Sequence, residues 1–208
     1  MLGWEIDSHD ALTAPAVARN RDAILSVLRE ILPETGTVLE IASGSGEHAV
    51  HVAAALPGLG WLPSDPEPAA RRSIAAHARR TGLSNIVPPL DLDATATAWP
   101  VAGVDAIVCI NMIHIAPWAA TEGLMAGAGR VLAEEGVLFL YGPFREAGRY
   151  DAESNAAFDA SLRERDPNGG VRDLEAVAAE AARYGLGLTG RVAMPANNLS
   201  LIFRRAGS

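Results

Sequence analysis

Along this chain, short apolar runs alternate with longer stretches in which apolar side chains recur every three or four residues. From Pro15 to Leu32, the residues Ile24, Leu28 and Ile31 keep helical spacing. Leu25 and Leu32 widen the stripe, and Pro33 and Gly36 end it. TVLEIA then reads as a buried strand, SGSG interrupts it, and EHAVHVAAAL restores helical spacing through Ala49, Ala53 and Leu56. The same alternation continues. WLPSD is a short strand, and PEPAARRSIAAHARR is a helix with prolines in its first turn, where a missing N–H costs little. NIVPPLDLD is a third strand carrying two prolines, and VDAIVCI a fourth that is apolar on both faces. WAATEGLMAGAGRVL is a helix with Leu124, Ala128 and Val131 on one side, and GVLFLYG is a fifth strand. Strands alternating with helices predict right-handed crossovers and a parallel sheet covered on both faces.

The last third of the chain breaks this rhythm. Its polar stretch from Pro143 to Asp173 predicts a helix from about Asn155 to Arg165 with a mobile loop on either side, and residues 144–150 are a candidate lid. A helix with Leu174, Val177, Ala181 and Tyr184 follows. LGLTGRVAM and LSLIFRR then read as strands joined by PANN, a connection short enough for an antiparallel pair at the sheet edge. No internal repeat and no linker stands out, so residues 1–208 read as a single domain.

Composition narrows the chemistry. Hydrophobic residues make up 49% of the 208, enough for a sizeable core. The formal net charge is -8, a balance that disfavours a nucleic-acid backbone as partner. The pairs Arg71-Arg72 and Arg79-Arg80 fall on one helix and read as a solvated face. All 17 basic residues are arginine. Without lysine there is neither a Schiff-base pyridoxal-phosphate enzyme nor a P-loop. The single cysteine, Cys109, lies in the run AIVCI as a small buried hydrophobe and cannot form an internal disulfide. The start, MLGWEIDSHD, lacks the apolar run of a signal peptide. No stretch approaches the roughly 20 apolar residues of a membrane span, so the expected location is the cytoplasm.

The segment that carries chemistry is VLEIASGSGEHAV, Val38 to Val50: a strand, a glycine loop, then a helix. Glycine lets the backbone turn tightly and approach a ligand, and the helix presents free N–H groups. Glu40 stands at the strand end before the glycines. Asp65 ends the second strand 19 residues after Gly46, where a carboxylate can accept both ribose hydroxyls; its other reading is a helix cap before PEP. His48 and His51 lie three apart on the first helix without a third ligand in sequence, so no metal site is expected. His114, in NMIHIAPW, follows the fourth strand at the carboxyl end of the sheet, where open α/β folds bind ligands. It reads either as a structural histidine or as a base or substrate contact working near neutral pH.

Glu40, Ala42, Gly44 and Gly46 resemble the first motif of the Rossmann-like S-adenosylmethionine-dependent methyltransferases, with Ala42 where that superfamily usually has its first glycine. The segments ARNRDAIL, LEIASGSGEHAVH, CINMIHIAPWAATEGL, YGPF, SNAAFDASLRERDP, VRDLEAV and MPANNLSLIFRR look like the DUF938 family, also called methyltransferase-like protein 26. This resemblance implies a Rossmann-like α/β methyltransferase fold: a mostly parallel seven-stranded sheet, helices on both faces, and an antiparallel C-terminal strand pair. It implies S-adenosylmethionine as cofactor. Ala42, Ser43, Gly44 and Gly46 would wrap its methionine part, and Glu40 would orient that loop or meet the amino group. Asp65 would hold the ribose with Pro66 beside the adenine. Asp91 and Leu92 would contact the adenine edge, with Asp93 as a rival because the register of LDLD is ambiguous. Asn111 would lie near the methionine moiety. Asn20, Arg21, Tyr141 and Arg145 are candidates for substrate contact, and His114 for catalysis. NMIH stands where amino-methylating enzymes of nucleic-acid bases carry an NPPY-type tetrad, so the expected acceptor is a small molecule or a protein side chain. Two rival readings remain. One is a non-catalytic methyltransferase-like module. The other is a nicotinamide-dependent oxidoreductase, against which SGSGEHA lacks the third glycine of G-x-G-x-x-G.

Overall fold

The computed structural model describes Glu5–Ile6 and residues 11–206. The stretch MLGWEIDSHD, read above for its lack of a leader, lies largely outside them. Strand β1 (Glu5–Ile6) pairs antiparallel with β2 (Leu12–Thr13). Helix α1 (Pro15–Ile31) opens on a proline and buries Ile24, Leu25, Val27 and Leu28. Next come β3 (Gly36–Ile41), α2 (Glu47–Ala55), β4 (Leu59–Pro63) and α3 (Pro68–Thr81), the last ending on Gly82 at φ 64°. Then follow β5 (Val104–Ile110), the four-residue α4 (Met112–Ile115), α5 (Trp118–Val131) and β6 (Leu132–Gly142). The remainder is β7 (Phe144–Glu146), β8 (Arg149–Tyr150), α6 (Glu153–Arg165), β9 (Arg172–Asp173), α7 (Leu174–Ala182), β10 (Leu186–Met194), a short 3-10 turn (Pro195–Asn197) and β11 (Asn198–Arg205).

The main sheet has the order β10-β11-β6-β5-β3-β4. β4, β3, β5 and β6 run parallel, β11 returns antiparallel beside β6, and β10 is antiparallel to β11. Alternate side chains point to opposite faces. Val38, Ala106, Val108, Val137 and Phe139 meet Ile24, Leu28, Ala49 and Val52 of α1 and α2. Leu39, Ile41, Ile107, Leu138 and Leu140 meet Leu124, Met125, Val177 and Ala181 of α5 and α7. Cys109 is buried on this second face, and burial pushes its thiol up to about 12. No described helix is long and apolar enough to cross a membrane.

Two expectations are corrected. The sheet has six strands among the described residues, not seven. NIVPPLDLD follows the β4 edge but touches it only through isolated parallel bridges, Trp61 with Ile86 and Ser64 with Leu90. Pro88 and Pro89 between them have no N–H to donate, so no ladder forms. Residues 144–150 are not a free loop either. β7 pairs antiparallel with β8 and parallel with β9, making a three-stranded sheet of their own.

Candidate functional site

β3 ends at Ile41, and the chain turns at once: Ala42, Gly44 and Gly46 have φ of 55°, 57° and 88°. Glycine takes this left-handed conformation freely, while Ala42 holds it with a Cβ, at a cost of roughly 1–2 kcal/mol. Gly46 has a second reason to be glycine, because a Cβ there would stand 2.7 Å from the Ile74 Cα on α3. The loop thus lies directly on α3.

Hydrogen bonds tie this loop to the end of β4. Ser43 N donates to Ser64 O at 2.8 Å, Ser64 N donates to Ser43 Oγ at 3.1 Å, and Ser64 Oγ donates to Glu40 O at 2.7 Å. Asp65 closes the arrangement. Its Oδ2 accepts from Gly44 N and its Oδ1 from Glu67 N, each at 3.0 Å. It therefore ties the glycine loop to the turn that precedes α3. Burial raises its pKa and the two backbone donors oppose that rise.

Glu40 is 2% exposed, and its Oε2 accepts from Trp61 Nε1 at 2.9 Å. Trp61 pairs in register with Val38, two residues before Glu40, so their side chains share a sheet face. Burial holds the Glu40 carboxyl at about 7, with the Trp61 and Ser43 hydrogen bonds pulling it down and Asp65 adding to the rise. On the outer side of the loop, Glu47 Oε2 accepts from Ser45 Oγ at 2.9 Å and from Ala14 N at 2.7 Å. Ser73 Oγ bridges Ser45 O and Leu12 N.

Past β4, Arg71 donates to Asp65 O at 2.9 Å and Pro66 O at 2.7 Å, and pairs with Asp91 Oδ2 at 2.9 Å. One guanidinium thus holds Asp65, Pro66 and Asp91 together. The other two residues of this stretch behave differently. Leu92 is buried in the core cluster that also holds Trp99. Asp93 accepts from Thr95 N and Thr95 Oγ1, both at 2.8 Å, as a turn residue.

At the carboxyl ends of β5 and β6, Asn111 adopts φ 65° and its N donates to Tyr141 O at 2.8 Å. His114, on α4, is 1% exposed. Burial, helped by Arg172, lowers it to about 3, so it is a neutral imidazole at pH 7. Its Nδ1 is buried with no hydrogen-bond partner among the described residues. Asn20 is buried and its Oδ1 lies 2.9 Å from His48 Nε2. Burial lowers His48 to about 4, with His51 and Arg21 adding to the fall. His51 instead sits 2.9 Å from Asp22, so the two histidines serve different partners. The Tyr141 hydroxyl lies between Asn20 and Asn198. Arg21 is exposed, and Arg145 is paired with Asp173 at 2.6 Å, its Nε buried with no hydrogen-bond partner among the described residues.

Sequence reading missed Trp61, Ser64, Arg71 and Phe158. A signal existed for Arg71, which lies six residues after Asp65 on the following helix. Trp61 follows from strand register alone. The Phe158 ring meets His114 edge-on at 5.8 Å, a contact made across 44 residues that no local pattern marks.

The profile of a family described as "Protein of unknown function (DUF938)" matches residues 11–205. Solved structures share the fold. The mitomycin 7-O-methyltransferase MmcR superposes with a TM-score of 0.79 at 17% identity, covering 93% of this chain and 55% of that one. An O-methyltransferase family protein from Burkholderia thailandensis gives 0.74 at 18% identity, covering 90% and 59%. The YcgJ protein from Bacillus subtilis gives 0.69 at 13%, covering 92% and all of that chain. The chain spans little more than half the length of the O-methyltransferases it matches.

Proposed function

The chain belongs to the DUF938 family, and we propose that it is an S-adenosylmethionine-dependent methyltransferase, a single domain over residues 1–208 acting on a small molecule or a protein side chain. The observation that supports this best is the bond from Gly44 N to Asp65 Oδ2, which brings a glycine loop and a strand-end carboxylate into one site beside the buried Glu40.

The charge of these groups suits a cationic ligand. The charge of Asp65 adds to the resistance of Glu40 to ionisation, and a sulfonium with an ammonium group relieves that repulsion. A dinucleotide would need its pyrophosphate at the start of α2, where Glu47 already stands. When bound, S-adenosylmethionine supplies a methyl group already activated by its sulfonium. In this reading Ala42, Ser43, Gly44 and Gly46 wrap the methionine part and Glu40 holds the loop through Trp61. Asp65 takes the ribose hydroxyls, while Pro66 and Asp91, joined by Arg71, flank the adenine. Asn111 faces the methionine end, and neutral His114 orients the acceptor by a hydrogen bond. The remaining task is alignment and exclusion of water.

Titration calorimetry with S-adenosylmethionine, S-adenosylhomocysteine and NADH tests the reading, with Asp65→Ala as control. Binding of both adenosyl ligands, weakened in the variant, is the expected result. Binding of NADH alone points to an oxidoreductase, and binding of none leaves a non-catalytic module.

A further inference from the structure

Resting on the methyltransferase reading, we propose that Ser73 and Glu47 are positioning residues of the cofactor site, and that through them residues 11–14 raise its affinity for the cofactor. The contact point is Ser45, in the middle of the glycine loop. Its carbonyl accepts from Ser73 Oγ at 2.7 Å, and its hydroxyl donates to Glu47 Oε2 at 2.9 Å. Each of these two side chains has a second partner in the segment before α1. Ser73 Oγ accepts from Leu12 N at 2.8 Å, and Glu47 Oε2 accepts from Ala14 N at 2.7 Å. His77 lies one turn on from Ser73 on the same face of α3, and its Nε2 donates to Leu12 O at 2.9 Å. Ile74, the residue after Ser73, is the one that Gly46 rests against. Consecutive residues of α3 thus back consecutive residues of the loop.

Ser73 is fully buried, so water cannot take over either of its bonds. One hydroxyl donates to the loop and accepts from the segment, and a hydroxyl that accepts a bond becomes the better donor. Glu47 likewise serves both partners with one oxygen. The segment itself has little else to order it. β2 is two residues long and pairs with a two-residue β1, a ladder too short to be stable alone. Ala11 and Leu12 are buried, and the hydrogen bonds above tie the segment to α2 and α3. The loop is therefore clamped from two sides. Ser43 and Gly44 are held by the ends of β3 and β4, and Ser45 by α2 and α3 together with residues 11–14. A cofactor that needs the loop in this conformation reinforces everything that holds it there. The coupling is reciprocal: the factor by which the docked segment raises cofactor affinity is the factor by which the cofactor favours docking.

His77→Ala separates coupling from mere support, because His77 bonds to Leu12 and makes no hydrogen bond to the glycine loop among the described residues. S-adenosylhomocysteine binding to the full chain is measured by calorimetry, and exchange of single backbone amides by NMR. In wild type the ligand should slow exchange at Leu12 and Ala14. His77→Ala should free those two amides and raise the Kd about fivefold, and Ser73→Ala should raise it by about as much or more. Glu47→Gln keeps an oxygen that can accept both bonds, so it should recover most of the affinity lost in Glu47→Ala. Should Ser73→Ala fail to fold, His77→Ala, at a half-buried position, carries the test alone. The proposal is overturned if His77→Ala frees Leu12 and Ala14 yet binds S-adenosylhomocysteine as wild type does. It is also overturned if the bound ligand leaves exchange at both amides unchanged. If S-adenosylhomocysteine does not bind wild type at all, the methyltransferase reading falls, and the coupling is read without ligand. Exchange at the Gly44 and Gly46 amides should then quicken in His77→Ala, and unchanged exchange there overturns the coupling too.

Discussion

Glu40 sits 2% exposed with one carboxylate oxygen on Trp61 Nε1, and burial holds it at about 7 against a usual 4.5. Between those two values the folded chain binds a proton that the unfolded chain has lost. Glu40 therefore contributes stability that is fully present below pH 4.5 and is lost as pH rises through 7. Glu40→Gln keeps an acceptor for Trp61 and removes the titration. Its stability relative to wild type should grow from pH 5 to pH 8 by roughly 3 kcal/mol. Urea unfolding at three pH values measures this, and a constant difference would sink it. Two neighbours test the loop itself. Ala42→Gly relieves φ 55° and should stabilise the chain by up to about 1 kcal/mol, read as a higher urea midpoint. Gly46→Ala places a Cβ against the Ile74 backbone and should lower the midpoint and abolish S-adenosylhomocysteine binding together. Glu40, Gly44, Gly46 and Asp65 were legible in sequence because a glycine loop between a strand and a helix leaves a local pattern. Trp61 was not, since its role comes from strand register, and Arg71, though placed on the helix that follows Asp65, read as part of a solvated face. The choice between the two readings of His114 was not legible either, because burial depth is a tertiary property.

At the scale of elements, the alternation of apolar runs revealed the parallel strands and most helices within a residue or two, except that β6 begins at Leu132, four residues before GVLFLYG. It was misled where hydrogen bonding, not hydrophobicity, decides. NIVPPLDLD is apolar enough for a strand but has prolines where ladder donors are needed. The polar stretch after β6 hides a small sheet because β7 and β9 are joined by side-chain and backbone bonds across about 30 residues. Asp159 organises that insertion: it is buried, and accepts from Tyr150 Oη at 2.7 Å, Arg163 Nε at 2.9 Å and Val171 N at 2.6 Å. Asp159→Ala leaves these donors without their acceptor while sparing both faces of the main sheet. Limited proteolysis should then cut first between residues 147 and 171, with the melting temperature lowered by only a few degrees. Protection of this segment equal to wild type would show that its order comes from elsewhere.

Across the whole molecule, the end of the sheet that carries the candidate site is also where neutral histidines are buried. His48 is held at about 4 and His114 at about 3, against 6.5 when exposed. For such groups the stability is present above pH 6.5 and is lost as pH falls, because the unfolded chain takes protons that the folded chain refuses. Between pH 4.5 and 6.5 the two histidines and Glu40 act in opposite senses, two protons against one. The net expectation is a loss of about 1.4 kcal/mol of stability per pH unit of acidification in that window. His48→Gln removes one of the two protons while retaining a donor for Asn20 Oδ1, so its stability should be nearly flat over the same range. Urea midpoints at half-unit steps from pH 4.5 to 6.5 decide the matter. If the variant keeps the wild-type slope, the acid sensitivity does not reside in His48. The loss would then need another titrating group of the same sign, and His114, which burial also keeps neutral, would be the next to replace, whereas Asp65, raised by burial, works in the opposite sense.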